Sequence, residues 1–194
     1  MLPTNAGANL LPIARSSIAN ALGRNQTAPA EALWLHSLAA CFVTLTQNGQ
    51  LRGCIGSLQA RRSLLIDVKA NAVAAALHDP RFAQLTDQEL DRTEVEVSVL
   101  SPSEPLAFTS EAHALSQLRP GIDGIVFEYA QYRSTFLPQV WEQLPQAQSF
   151  LSQLKRKAGL SGSFWAEEIK LHRYTVQKWS ESAIAWAPDN AGDA

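Results

Sequence analysis

The sequence predicts an α+β protein with two lobes, each a mostly antiparallel sheet carrying packed helices. Three observations lead there. The order hairpin–helix–strand runs through 41–100 and returns within 125–176, which sets lobe halves at about 41–100 and 106–176 of one domain spanning 10–176. The stretch Glu94–Leu100 alternates cleanly, with Val95, Val97 and Val99 on one side and Glu94, Glu96 and Ser98 on the other. Segments of helical period, each with its own start or stop signal, separate the strand-like runs. Residue identity between the halves is negligible, so the repeat is one of order alone.

Composition sets the outer limits. A chain of 194 residues buries roughly 70% of its unfolded surface and needs no disulfide or metal to fold. Its formal charge of −2 argues against a basic surface made for nucleic acid. No apolar run approaches the roughly 20 residues that span a bilayer. Two cysteines and a start without a basic, then apolar leader lead to the expectation of a cytoplasmic protein.

Taken in order, residues 10–24 read as an amphipathic helix, with Ala14, Ile18 and Leu22 recurring and Pro12 in its first turn. Residues 25–29 form a loop, and 32–39 fits either a short helix or an extended cover. A hairpin follows, Cys41–Gln47 with Leu51–Leu58, around Asn48-Gly49. A two-residue loop would pair Val43 with Cys54. A three-residue loop, 48–50, pairs Thr44 with Cys54 and Thr46 with Arg52, and gathers Cys41, Val43, Leu45, Leu51 and Ile55 on one apolar face. A one-residue slip exchanges the faces, so the apolar pattern selects the three-residue loop. Cys54 then lies with Arg52, Thr44 and Thr46, Cys41 points the other way, and no disulfide joins the two cysteines.

Ser63 caps a helix over 64–78 whose expected buried stripe is Ile66, Ala70, Val73, Ala74 and Leu77, stopped before Pro80. Thr86 with Glu89 forms a capping box, and Leu85 with Leu90 a staple, so a short helix starts there. Residues 101–105 make a loop and the joint between lobes. A helix over 110–118, a hairpin of 125–132 with 134–137, a helix over 146–158 closed by Gly159 and a strand over 169–176 complete the pattern. The tail 187–194 is expected to fray.

The run Leu51-Arg52-Gly53-Cys54-Ile55-Gly56 resembles the signature of the AMMECR domain family. The likeness continues in Phe42-Val43-Thr44-Leu45, Asp79-Pro80-Arg81-Phe82, Val97-Ser98-Val99-Leu100, Arg119-Pro120-Gly121, Phe136-Leu137-Pro138-Gln139-Val140 and Lys157-Ala158-Gly159-Leu160. It covers about 10–176. The resemblance implies a two-lobed α+β fold with internal duplication. Bacterial members look like protein A of the AmmeMemoRadiSam system, which implies a Memo-like or a radical-SAM-like protein as partner. The sequence departs from the pattern at Asp123, where many members carry histidine, and through 30–39.

The candidate chemistry centres on Cys54. A thiolate is the reactive form, and Arg52 two residues away would stabilise it or anchor an anion. Thr44 is the hydrogen-bonding neighbour. Gly53 and Gly56 leave room for a backbone or a ligand, and the site is expected in a pocket near the lobe junction. The other reading is a buried, inert cysteine whose glycines serve packing. Arg81 either holds an anionic ligand or closes the turn after the helix with Asp79. Glu96 either fixes the Arg52 guanidinium or belongs to a solvated face. His78 is explained by its place at a helix end, and no base for Cys54 can be assigned among the four histidines. Metal-ligand spacing, phosphate loops and dinucleotide fingerprints are absent, so no cofactor is expected. Two functions remain open: thiol-based modification of a small molecule or partner protein, and a non-catalytic accessory role.

Overall fold

The computed structural model describes residues 2–28 and 30–185, which leaves the tail 187–194 outside the described residues. The fold is α+β, with two four-stranded antiparallel sheets. The chain divides into two units, 2–100 with 177–185, and 101–176.

In the first unit, helix α1 (Gly7–Ala21) precedes the hairpin β1 (Ala40–Gln47) and β2 (Gln50–Gly56), then α2 (Leu64–Leu77), the short α3 (Asp87–Leu90) and β3 (Glu94–Leu100). Strand β8 (Val176–Ser180) and α6 (Glu181–Ala185) return to this unit, and its sheet order is β2-β1-β3-β8. The second unit holds β4 (Glu104–Leu106), α4 (Glu111–Gln117), the hairpin β5 (Gly124–Tyr129) and β6 (Tyr132–Phe136), α5 (Ala147–Lys157) and β7 (Lys170–Tyr174), in the order β4-β7-β5-β6. Matching β1 to β5, β2 to β6 and β3 to β7 makes the two orders the same. The fourth strand is exchanged: β4 follows β3 in the chain but lies beside β7, and β8 follows β7 but lies beside β3.

That exchange explains two differences from the sequence pattern. The single strand expected over 169–176 is two strands in two sheets, separated at Thr175. Part of the expected loop 101–105 is strand β4. Pro105 can sit there because β4 lies at the end of its sheet, where one side needs no donor.

The first core lies on one face of its sheet, where Val43, Leu45, Val95 and Val97 pack with Leu10, Ile13 and Ile18 of α1 and Val68 and Ala72 of α2. Helix α1 starts three residues before its expected start, so Pro12 falls inside it and not in its first turn. The buried face of Leu10, Ile13, Ala14 and Ile18 outweighs the missing donor. The α2 stripe also differs: Leu64, Leu65, Val68, Ala72, Ala75 and Ala76 are buried, while Ile66 is 53% exposed. An apolar residue stands on almost every side of this helix, so period alone could not choose its inner face. In the second core, Ile125, Phe127 and Leu171 pack with Phe150, Leu151 and Leu154 of α5, and Trp141 stacks on Phe150 at 3.8 Å.

Candidate functional site

The hairpin that carries Cys54 turns on Asn48 and Gly49, both at positive φ (51° and 74°). This is the twist a two-residue hairpin loop requires. Yet Thr44 stands opposite Cys54, as expected for the longer loop, because the register shifts between Leu45 and Thr46. Leu45 faces Gly53 and Thr46 faces Leu51, which makes Arg52 the extra residue of a bulge. The expected three-residue loop and the Thr46–Arg52 pair are thereby corrected, and the Thr44–Cys54 pair stands.

The bulge decides what Arg52 does, since bulges re-aim side chains. Its guanidinium donates to the carbonyls of Ala83 (2.8 Å) and Gln84 (3.3 Å) and to both carboxylate oxygens of Glu89. Among the described residues it makes no hydrogen bond to the thiol. The Arg52–Glu96 pair is likewise overturned: Glu89 takes Arg52, and Glu96 pairs with Lys178 at 3.4 Å.

Cys54, Thr44 and Glu96 form one row across β2, β1 and β3, with Thr44 opposite both other residues. All three are partly exposed, on the sheet face opposite the buried Val43, Leu45, Val95 and Val97. Cys54 Sγ lies 3.3 Å from Thr44 Oγ1, close enough for a weak sulfur–hydroxyl hydrogen bond. Cys41 is fully buried on the other face, and burial together with the Asp67 charge pushes its thiol pKa up. The two cysteines are free and chemically distinct.

The main chain of Cys54 is held from outside the sheet. Its N–H donates to Asp79 Oδ2 at 2.8 Å, and its carbonyl accepts from Arg81 Nη2 at 3.1 Å. Arg81 also donates to both Asp79 oxygens, at 2.9 and 2.7 Å. Asp79 is buried, and the Arg81 guanidinium, aided by the Cys54 and Arg81 N–H groups, holds its carboxyl well below the usual range. Asp79 and Arg81 therefore do more than close a turn: they cover the peptide that β2, an edge strand, would leave open. His78 is the exposed C-cap residue of α2.

The space at the two glycines is taken by the protein itself. A Cβ at Gly53 would overlap the Ala75 carbonyl of α2, and one at Gly56 would overlap the Phe42 ring.

Sequence reasoning missed a polar cluster at the other end of the hairpin. Asp67, 1% exposed, accepts from the Cys41 N–H, Ser57 Oγ, Arg62 Nε and Asn71 Nδ2 at 2.7–3.0 Å. Two polar residues one turn apart in an otherwise alanine-rich helix were the available signal. Lys155, in the last turn of α5, is buried and bound to Glu111 (2.7 Å) and the Phe164 carbonyl (2.9 Å).

Fold and site together define a class: a duplicated α+β protein whose first hairpin presents a partly exposed cysteine clipped at its edge. The AMMECR1 family model matches residues 11–179, and the chain belongs to that family. Relatives include a protein of Methanothermobacter thermautotrophicus, 40% identical over 72% of this chain and 74% of its own. One of Thermotoga maritima is 35% identical over 73% and 77%. The crystal structure of an uncharacterized protein from Pyrococcus horikoshii superposes with a TM-score of 0.78 at 30% identity, covering 93% of each chain. Among the described residues no helix is long and apolar enough to cross a membrane.

Proposed function

We propose that this chain works through the sheet face around Cys54, binding a small molecule or a segment of a partner protein against a reactive thiol. One observation carries the reading. Of two free cysteines, Cys54 is partly exposed, hydrogen-bonded to Thr44 and fixed through its backbone, while Cys41 is sealed in the core. Thr44 would orient the sulfur, and Glu96 would meet a hydrogen-bond donor on the bound molecule. Arg52 and Arg81 support the site's backbone and its flanking segment. The test is alkylation by iodoacetamide across pH with both cysteines followed by mass spectrometry. Cys54 should react at least tenfold faster than Cys41; equal rates would overturn the reading.

A second reading, a non-catalytic accessory role, is favoured by a separate observation. Among the described residues, Thr44 Oγ1 is hydrogen-bonded to Sγ and the Arg81 guanidinium lies near it, but neither an imidazole nor a carboxylate is hydrogen-bonded to it as a base would be. The resemblance points to a Memo-like or radical-SAM-like partner. Co-purification with such a partner that is unchanged by Cys54→Ala, with function in cells intact, would select this reading over the first.

A further inference from the structure

We propose that Asp79 and Arg81 are positioning residues for the Cys54 thiol, an inference that rests on Cys54 being the reactive group of the site. In an antiparallel ladder, alternate residues of an edge strand turn their N–H and C=O away from the neighbour. Cys54 is such a residue. Its two backbone groups go to Asp79 and Arg81, so β1 holds the side chain through Thr44 but not the peptide that carries it.

The surroundings make that hold consequential. A bulge lies two residues before the thiol, and Gly53 precedes it directly. Without an outer partner, the peptide of Cys54 would face water and move with the irregular strand before it. The clip is itself well anchored. Asp79 is 5% exposed, and the Arg81 guanidinium engages both its oxygens. A buried carboxylate that accepts two backbone N–H groups and a fork of guanidinium donors has little freedom to move.

The second unit supplies a control built into the same chain. Thr135 of β6 holds the place of Cys54, and Lys157 at the end of α5 donates to its carbonyl at 3.0 Å. Among the described residues no side chain accepts the Thr135 N–H. A cation on the edge carbonyl is therefore common to both units. The buried carboxylate on the edge N–H accompanies the thiol.

The test compares full-length wild type with Asp79→Ala, Asp79→Asn, Arg81→Ala and Arg81→Lys. Amide exchange at Cys54 and Cys41 is measured by NMR, and the pH–rate profile of iodoacetamide alkylation at Cys54 is recorded. Asp79→Ala should speed exchange at Cys54 at least tenfold and leave Cys41, held by Asp67, unchanged. The alkylation profile should be displaced in Asp79→Asn and Arg81→Ala, with Arg81→Lys restoring part of the displacement because an ammonium can still donate to the carbonyl. If Asp79→Ala does not fold, the Arg81 pair decides. A reactive wild type whose profile persists in every folded variant overturns the positioning role alone. A wild-type Cys54 no faster than Cys41 removes the functional reading beneath it.

Discussion

The two sheets place a helix carbonyl against the same point of an edge strand and treat it in opposite ways. In the first unit the Ala75 carbonyl of α2 rests on Gly53, with no space for a side chain. In the second, the Leu154 carbonyl of α5 accepts from Ser134 Oγ at 2.7 Å. Gly53 lies opposite Leu45 as Ser134 lies opposite Phe127, so the positions correspond. The residue that follows is Cys54 in one and Thr135 in the other. A shared topology thus allows two spacings between helix and sheet. The closer one demands glycine beside the thiol, and the wider one is filled by phenylalanine and serine.

Each unit buries charged side chains, and the contrast between Asp67 and Lys155 should give the largest effect. Asp67→Ala would leave the Cys41 N–H and the Asn71 amide short of an acceptor and Arg62 without its partner. Arg62 is 40% exposed and can return to water, but buried donors left unsatisfied cost about 1–3 kcal/mol each, so a loss of about 3 kcal/mol is expected in urea unfolding. Lys155→Met should cost about 1 kcal/mol, because its partner Glu111 is 31% exposed and can return to water. Equal losses would break the comparison.

Next in size is Gly53→Ala, which drives a methyl into the Ala75 carbonyl and should destabilise by about 1–3 kcal/mol. Ser134→Ala removes one hydrogen bond and leaves the Leu154 carbonyl one acceptor contact short, about 1 kcal/mol. A Gly53→Ala variant as stable as Ser134→Ala would show that α2 can move away from the strand.

Acid should act on the first unit through two carboxyls beside β2. The Thr86 N–H and the Arg52 guanidinium hold Glu89 at about 2, and Arg81 holds Asp79 below its usual range. Both folded values lie below the unfolded ones, about 4.3 and 3.9. Their stabilisation is therefore complete above the unfolded values and is lost as pH falls through the folded ones. Melting temperature should drop as pH falls from about 4.3 toward 2, and Glu89→Gln should flatten that slope. A wild-type slope kept intact in Glu89→Gln would remove Glu89 from this account. The smallest effect is expected from Thr44→Val, within about 1 kcal/mol in stability, since it removes a single sulfur–hydroxyl contact. Its readout is a changed alkylation rate at Cys54.

Local signals carried much of this in the sequence itself. The alternation of Glu94–Leu100 marked β3 and its buried face, Ser63 marked a helix start, and Thr86 with Glu89 marked the short helix. These features depend on neighbours a few residues away, so the sequence alone determines them. The signature around Cys54 was legible for the same reason; its pairing with Thr44 was expected from a three-residue loop, whereas a two-residue turn and a bulge produce it.

Other features needed partners far along the chain, and only the tertiary structure decided them. The inner face of α2 buries Asp67 and Asn71, bound to Cys41 and Ser57, beside Val68 and Ala72, and apolar period alone did not mark it. Arg52 was turned from Cys54 to Glu89 by a bulge, whose two-against-one pairing leaves no mark in one strand's sequence. The clip on Cys54 joins residues 25 and 27 positions apart. The exchange of β4 and β8 pairs each with a strand outside the sheet of the strand it follows in the chain, which no local propensity encodes.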